Sequence, residues 1–260
     1  MKSNTKNNNI FKIIFIILIL IFCIGLCYLD QKKPYIEPSY PNKPEYIEPT
    51  PIVSYTLDTI PEYSETMENA YVIINNDVPD FSSVISTMDV SKPFSKYSYL
   101  DSEEERAGTA IANVCNATIA KEDNTSININ PTGWQSISGD FNNNGTIDWL
   151  YNRSHLIAYV LTGDENDERN IITATDYTNK SSMKIFENKI VSYVKNNPNE
   201  FVLYRVTPIY EGENLVASGI HMEAMSINSN EDIPDFCFNV YVYNIQKGVT
   251  IDYSTGKAEW

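Results

Sequence analysis

At 260 residues the chain has room for one sizeable domain with appendages, or for two small domains. Its 34 acidic side chains against 19 basic ones give a formal net charge of −15, which excludes a uniformly basic nucleic-acid-binding surface. Any polyanion would have to be held by a local basic patch and divalent cations, while a hydrophobic content of 42% and 18 tyrosines point to a folded core.

The chain opens with "MKSNTKNNNIFK", carrying Lys2, Lys6 and Lys12, and continues into an uncharged apolar run from Ile13 to Leu29. Seventeen apolar residues stand at the short end of what spans a bilayer core. The leading positive charge predicts a cytoplasmic N-terminus and an extracellular remainder. The exit, "CYLDQKKP", lacks the small residues of a cleavage site, so an uncleaved signal-anchor over 1–29 is expected, with secretion after signal cleavage as the alternative. Bulky Phe22 and Leu26 precede Cys23 and Cys27, which argues against a lipid-modified cysteine.

Residues 30–69 form a proline-rich stretch in which "YIEP" occurs at 35–38 and 46–49. Such sequence favours extended polyproline II, a semi-rigid spacer of about 3.1 Å per residue, and predicts an extracellular stalk. A single domain is expected over 70–260. "AYVIINNDVPDF" reads as a short strand ending in turn residues, and "RAGTAIANVCNATIA" fits either a helix or a strand. "PTGWQSISGDFNNNGTIDWLYNRSHLIAYVL" reads as strand, polar turn and strand, with His155 placed at the start of an apolar strand. From Asp176 to about Asn196 the recurrence of Met183, Phe186, Ile190 and Val194 predicts an amphipathic helix. Two strand-rich segments follow, with hairpin turns at "EGEN" and "STGK". Strands around one marked helix give an α+β class, largely antiparallel. Cys115 and Cys237 are read as small buried hydrophobes, although an oxidising exterior would permit a bond between them.

Four residues within this span suit one chemistry. His155 titrates near neutral pH and suits a general base. Asn170 and Asn179 follow across a polar loop. Glu187 falls eight residues after Asn179, on the same helix face and about 12 Å along the axis. Phosphodiester hydrolysis needs a base for water and a cation for the developing charge. Magnesium keeps most of its waters, so one asparagine oxygen can be enough to hold it.

The blocks "YNRSHLIAYVLTGDENDERNIITATDYTN", "VLYRVTPIYEGENLVASGI" and "FNVYVYNIQKG", with "AYVIINNDVPDF", "YSYLDSEEERAGTAIANV" and "PTGWQSI" upstream, resemble the DNA/RNA non-specific endonucleases. More narrowly they are similar to the Gram-positive DNA-entry nuclease branch of the ββα-metal (His-Me finger) superfamily. The resemblance runs in order through residues 70–260. It implies a ββα-metal core within a mixed, largely antiparallel sheet domain. It further implies a membrane-anchored extracellular endonuclease that cuts DNA, and RNA as well, with Mg²⁺ as cofactor and Mn²⁺ as a substitute. By position it implies that His155 is the general base, Asn179 the metal ligand, Glu187 a carboxylate organising water at the metal, and Asn170 an active-centre residue. Arg153 and Arg205 are candidates for phosphate contacts or structural bracing, and Arg106 is a candidate for substrate binding. No protein partner is implied.

The chain departs from the family pattern where Ala158 replaces a common glycine and where "TATD", Thr173 to Asp176, replaces a "TGTR"-like run. Asp176 thus puts a negative charge where the family carries an arginine. These changes, with 13 basic against 27 acidic side chains over 66–260, leave a second reading open: a stalked surface-binding module that retains the nuclease fold. His221, alternating with apolar residues, reads as structural. "DFNNNGTID" imitates half a calcium loop but has Tyr151 where the bidentate glutamate belongs, so a hairpin turn is expected there.

Overall fold

The computed structural model describes residues 53–121, 127–141, 144–164, 166–227 and 234–260. The apolar run Ile13–Leu29 and both "YIEP" repeats lie outside the described residues. In chain order, β1 (Ser54–Tyr55), β2 (Tyr71–Ile74), helix α1 (Ser82–Thr87), β3 (Phe94–Tyr97) and β4 (Ala110–Cys115) come first. A small hairpin of β5 (Ser138–Gly139) and β6 (Asp148–Trp149) precedes β7 (Tyr151–His155), the one-turn helix α2 (Tyr159–Thr162) and β8 (Ile171–Thr175). A π-helical turn, Thr178–Met183, runs directly into α3 (Lys184–Asn196). The chain ends with β9 (Phe201–Ile209), β10 (Gly219–Ile227), β11 (Cys237–Tyr243) and the hairpin β12 (Thr250–Asp252) and β13 (Lys257–Glu259).

Seven strands form one sheet in the order β1-β2-β11-β10-β9-β4-β3. Its pairs are antiparallel except β1 with β2, which is parallel. Period-two alternation sends Val202, Tyr204 and Val206 of β9, with Ile220, Met222 and Ala224 of β10, to one face. There they meet Phe186, Ile190 and Val194, the stripe that the helix spacing predicts. Each such side chain contributes roughly 1.5–3 kcal/mol on full burial, so this face fixes α3 against the sheet.

The opposite face carries Ile111 and Leu203 under Phe81 and Val84 of the α1 region. Toward β1, Tyr55, Ile60, Tyr63 and Met67 pack around Ile74, Tyr241 and Tyr243, and the Tyr243 hydroxyl donates to the Pro61 carbonyl at 2.8 Å. Residues 53–69, assigned to the spacer with the proline-rich stretch before them, therefore lie against the sheet. Their aromatic anchors are irregularly spaced, so no strand or helix period announces them.

One further expectation is corrected. "LIAYVL" is not a strand: His155 ends β7, and Leu156, Ile157 and Leu161 are buried in the turn and short helix that follow. A six-residue apolar run fits a buried strand and a buried helical turn equally well. Gly163 then ends α2 in the left-handed conformation, φ 76°. The ambiguous segment at 106–120 resolves as β4, every residue of which is buried. Cys115 and Cys237 are both free thiols, and helix α3 and the predicted hairpins at "EGEN" and "STGK" are present. The 140–148 turn closes on itself, the Asp140 carboxylate accepting from the amides of Asn144 and Gly145 at 2.9 and 2.8 Å. Among the described residues no helix is long and apolar enough to cross a membrane.

Candidate active site

Strands β7 and β8 pair antiparallel, with Arg153 opposite Thr173, Ser154 opposite Ile172 and His155 opposite Ile171. Together with the π-helical turn and α3 they make a β-β-α unit laid against the large sheet. Ser154 is buried, whereas Asn152, Arg153 and His155 open onto a cleft of about 600 Å³. Asn179 and Glu187 line the same cleft from the helix side. Four of the residues singled out by the sequence, His155, Arg153, Asn179 and Glu187, are therefore brought together.

The π-helical turn decides how Asn179 is presented. It adds a residue to the turn and lets Asn179 face β7, a distortion common at functional sites. The Ser154 hydroxyl donates to Asn179 Oδ1 at 2.7 Å, which leaves that oxygen a second lone pair. Glu187 keeps part of its surface open to the cleft, yet protein surrounds it closely. That desolvation pushes its carboxyl up to about 7, against the opposing pull of Lys184. Beneath it lies Tyr204, whose hydroxyl is buried without a hydrogen-bond partner. Burial first, and the Glu187 charge second, push that phenol well above its ordinary range.

Charge at the cleft runs against that of the whole chain. Lys121, Arg153, Lys180 and Lys184 all line it, forming the local basic patch an acidic protein requires. Lys180 and Lys184 stand four apart on the helix, a signal available in the sequence but hidden by the overall acidity. Asp176, the departure from the family pattern, accepts from Asn152 Nδ2 at 2.7 Å and pairs with Lys180 at 2.5 Å. Its charge at the rim is thus matched by a neighbouring cation.

Other expected site residues stand elsewhere. Asn170 is 1% exposed and braces the chain just after His155. Its Oδ1 accepts from Ile157 N at 2.8 Å, its Nδ2 donates to Ile157 O at 3.1 Å, and its carbonyl accepts from Leu156 N at 2.8 Å. Asn170 is a positioning residue and does not line the cleft. Arg205 points from the opposite face of the sheet, where it pairs with Glu223 at 2.7 Å, donates to Asp80 O and covers Phe81. Arg106 pairs with Asp101 at 2.6 Å and donates to the carbonyls of Gly212 and Asn214, also outside the cleft. Arg205 and Arg106, expected at the substrate, stand outside the cleft and brace the fold, each guanidinium held by a carboxylate and by backbone carbonyl oxygen. His221 is structural as read, bonded through Nε2 to Asn239 Oδ1 at 2.7 Å. Ser154 and Asn152 escaped the sequence reading, since small polar residues in a strand carry no periodic signal.

The oxygens of Asn179 and Glu187 suit a hard cation that retains water, such as Mg²⁺. Among the described residues no group of three or more His, Cys, Asp or Glu side chains forms a metal cage. The donor set therefore fits a lightly held, largely hydrated ion.

A family model described as DNA/RNA non-specific endonuclease matches residues 86–228, more than half the chain and all of the β-β-α unit. The chain belongs to the DNA/RNA non-specific endonuclease family. Within that family it is similar to NucA from Streptococcus agalactiae, whose crystal structure has a magnesium ion bound. That likeness has a TM-score of 0.58 at 25% identity, over 71% of this chain and 85% of that one. The Sda1 nuclease, solved with a bound zinc ion, gives a TM-score of 0.54 at 26% identity, over 64% of this chain and 81% of the other. A deoxyribonuclease of Streptococcus dysgalactiae subsp. equisimilis is 33% identical over 113 residues. That match takes in 41% of this family member and 32% of the relative, so the chain spans about a third of the length of the curated relative it matches.

Proposed function

We propose that the protein is an extracellular, membrane-anchored, divalent-metal-dependent endonuclease that hydrolyses DNA, and RNA as well, with little sequence preference. The observation that carries this reading is the convergence of His155, Asn179 and Glu187 on one cleft rimmed by lysines. His155, at the end of β7, takes a proton from water at an imidazole nitrogen. Asn170 holds the backbone immediately after it, so the imidazole is presented from a braced strand end. Asn179 would hold the metal through Oδ1, and Glu187 would order water around it. When bound, the cation supplies electrostatic stabilisation of the negative charge that develops on the phosphate. Lys180, Lys184 and Arg153 favour the polyanion locally within an otherwise repulsive field.

Mg²⁺ is the preferred cofactor in this reading, with Mn²⁺ as a substitute, because both donors are hard oxygens. Solved neighbours described with magnesium and with zinc support a divalent cation. The apolar run Ile13–Leu29 supports the anchor. Retention of all three site residues, and the pairing of Asp176 with Lys180, support the enzymatic reading over the stalked binding module. Incubating the full chain with plasmid DNA and MgCl₂ tests it. Degradation is expected from the wild type, a loss of at least about 10²-fold from His155→Ala, and none after chelation. Equal degradation by wild type and His155→Ala would overturn it.

A further inference from the structure

Beside the cleft lies a second, smaller pocket of about 370 Å³ with an aromatic wall. Trp149, at the end of β6, is 60% exposed and lines it. Trp134 stands across, with the Arg153 guanidinium stacked over its ring at 4.2 Å. Asn130 Oδ1 fixes that guanidinium, accepting from Nη2 at 2.7 Å and from Nε at 3.2 Å. Ile127, Asn152 and Arg153 line both this pocket and the catalytic cleft, so the two share a wall.

Trp149 thus offers an open indole face at the edge of the cleft. Its neighbours narrow the choice of occupant. The shared wall carries a cation and an amide, Arg153 and Asn152, which suit a phosphate on the cleft side and a polar base edge on the pocket side. The chain's charge of −15 limits how much affinity phosphate contacts can supply. Aromatic stacking is not opposed by that charge and accepts any base, since every base has a π-face.

We propose that this pocket is a nucleobase subsite: an unpaired base of the substrate strand, flanking the scissile phosphate, stacks on Trp149 against the Arg153–Trp134 wall. This rests on the nuclease reading above. A paired and stacked base has both faces occupied, so the subsite favours single-stranded nucleic acid or a locally opened duplex.

The test compares full-length wild type, Trp149→Ala and Trp149→Phe on a single-stranded oligonucleotide and on a duplex of the same length. Trp149→Ala is expected to raise KM for the single strand about tenfold, the loss falling on KM rather than kcat, with a smaller change for the duplex. Trp149→Phe is expected to recover most of the affinity. Independently of catalysis, oligo-dT should quench the tryptophan fluorescence of His155→Ala in chelator, and Trp149→Ala in that background should remove the quenching. Unchanged KM and unchanged binding in a folded Trp149→Ala protein would overturn the subsite. So would a change of oligomeric state alone, which would make Trp149 a contact between copies. If the wild type binds oligo-dT through Trp149 yet cleaves nothing, the nuclease reading fails and the subsite stands. Cleavage without any Trp149 effect gives the reverse.

Discussion

The hydroxyl of Ser154 donates to Asn179 Oδ1 at 2.7 Å, tying the strand that bears His155 to the helical turn that bears the proposed metal ligand. Ser154 is buried with its Oγ also 3.8 Å from Met183 Sδ, so the hydroxyl is held between strand and helix. A bond of this kind, net about 1 kcal/mol, orients the amide before any cation arrives.

Ser154→Ala should therefore weaken metal binding about five- to tenfold with little change in melting temperature. Mn²⁺ binding followed by electron paramagnetic resonance measures this without reference to activity. Unchanged affinity would show that Asn179 is oriented by other contacts.

Glu187 supplies the pH dependence. Its carboxyl, ordinarily near 4.5, is held up to about 7 by desolvation, so the folded chain binds a proton that the unfolded chain has lost. The stability tied to that proton is fully present below about 4.5 and is lost as pH rises through about 7. Metal-free protein should melt lower at pH 8 than at pH 5.5, and Mg²⁺ should restore the loss by favouring the ionised form. Glu187→Gln should flatten the profile and raise the metal-free melting temperature at pH 8 by about 2–4 °C, checked by calorimetry.

Asn170→Ala removes both side-chain bonds to Ile157 and leaves two buried backbone groups unpaired. A cost of about 2–4 kcal/mol is expected, measured by urea unfolding. At temperatures where the variant stays folded, kcat should fall while the metal affinity holds, because the bracing acts on His155 and not on Asn179.

Arg205→Ala should cost stability without any effect at the cleft. It removes the guanidinium from Glu223, whose side chain is 5% exposed, leaving His221 Nδ1 at 3.5 Å beside the carboxylate, and should cost about 3–5 kcal/mol. KM for nucleic acid should be unchanged below the melting transition. A raised KM with normal stability would return Arg205 to the substrate path.

Much of the candidate site was legible before the fold was seen. Helix α3 shows itself through Phe186, Ile190 and Val194, because a 3.6-residue period is a local property. His155, Asn179 and Glu187 were legible through family resemblance, and the fold gathers them. The arginines were not. Arg205 reads equally as a phosphate contact or a brace until strand register sends Tyr204 to the helix face and Arg205 to the other, beside Glu223 and the Asp80 carbonyl. Arg106 likewise finds its carbonyl partners at Gly212 and Asn214, more than a hundred residues away. The apolar run after His155 was misread because a short buried stretch has no period to distinguish strand from helical turn.

By itself the sequence determined which polar side chains the proposed chemistry calls on, His155, Asn179 and Glu187, and which segments repeat with a strand or helix period. Only the tertiary structure decided which charges face the cleft. That assignment depends on strand register and on partners far apart in the chain, so it placed Lys180, Lys184 and Arg153 at the site and turned Arg106 and Arg205 away from it.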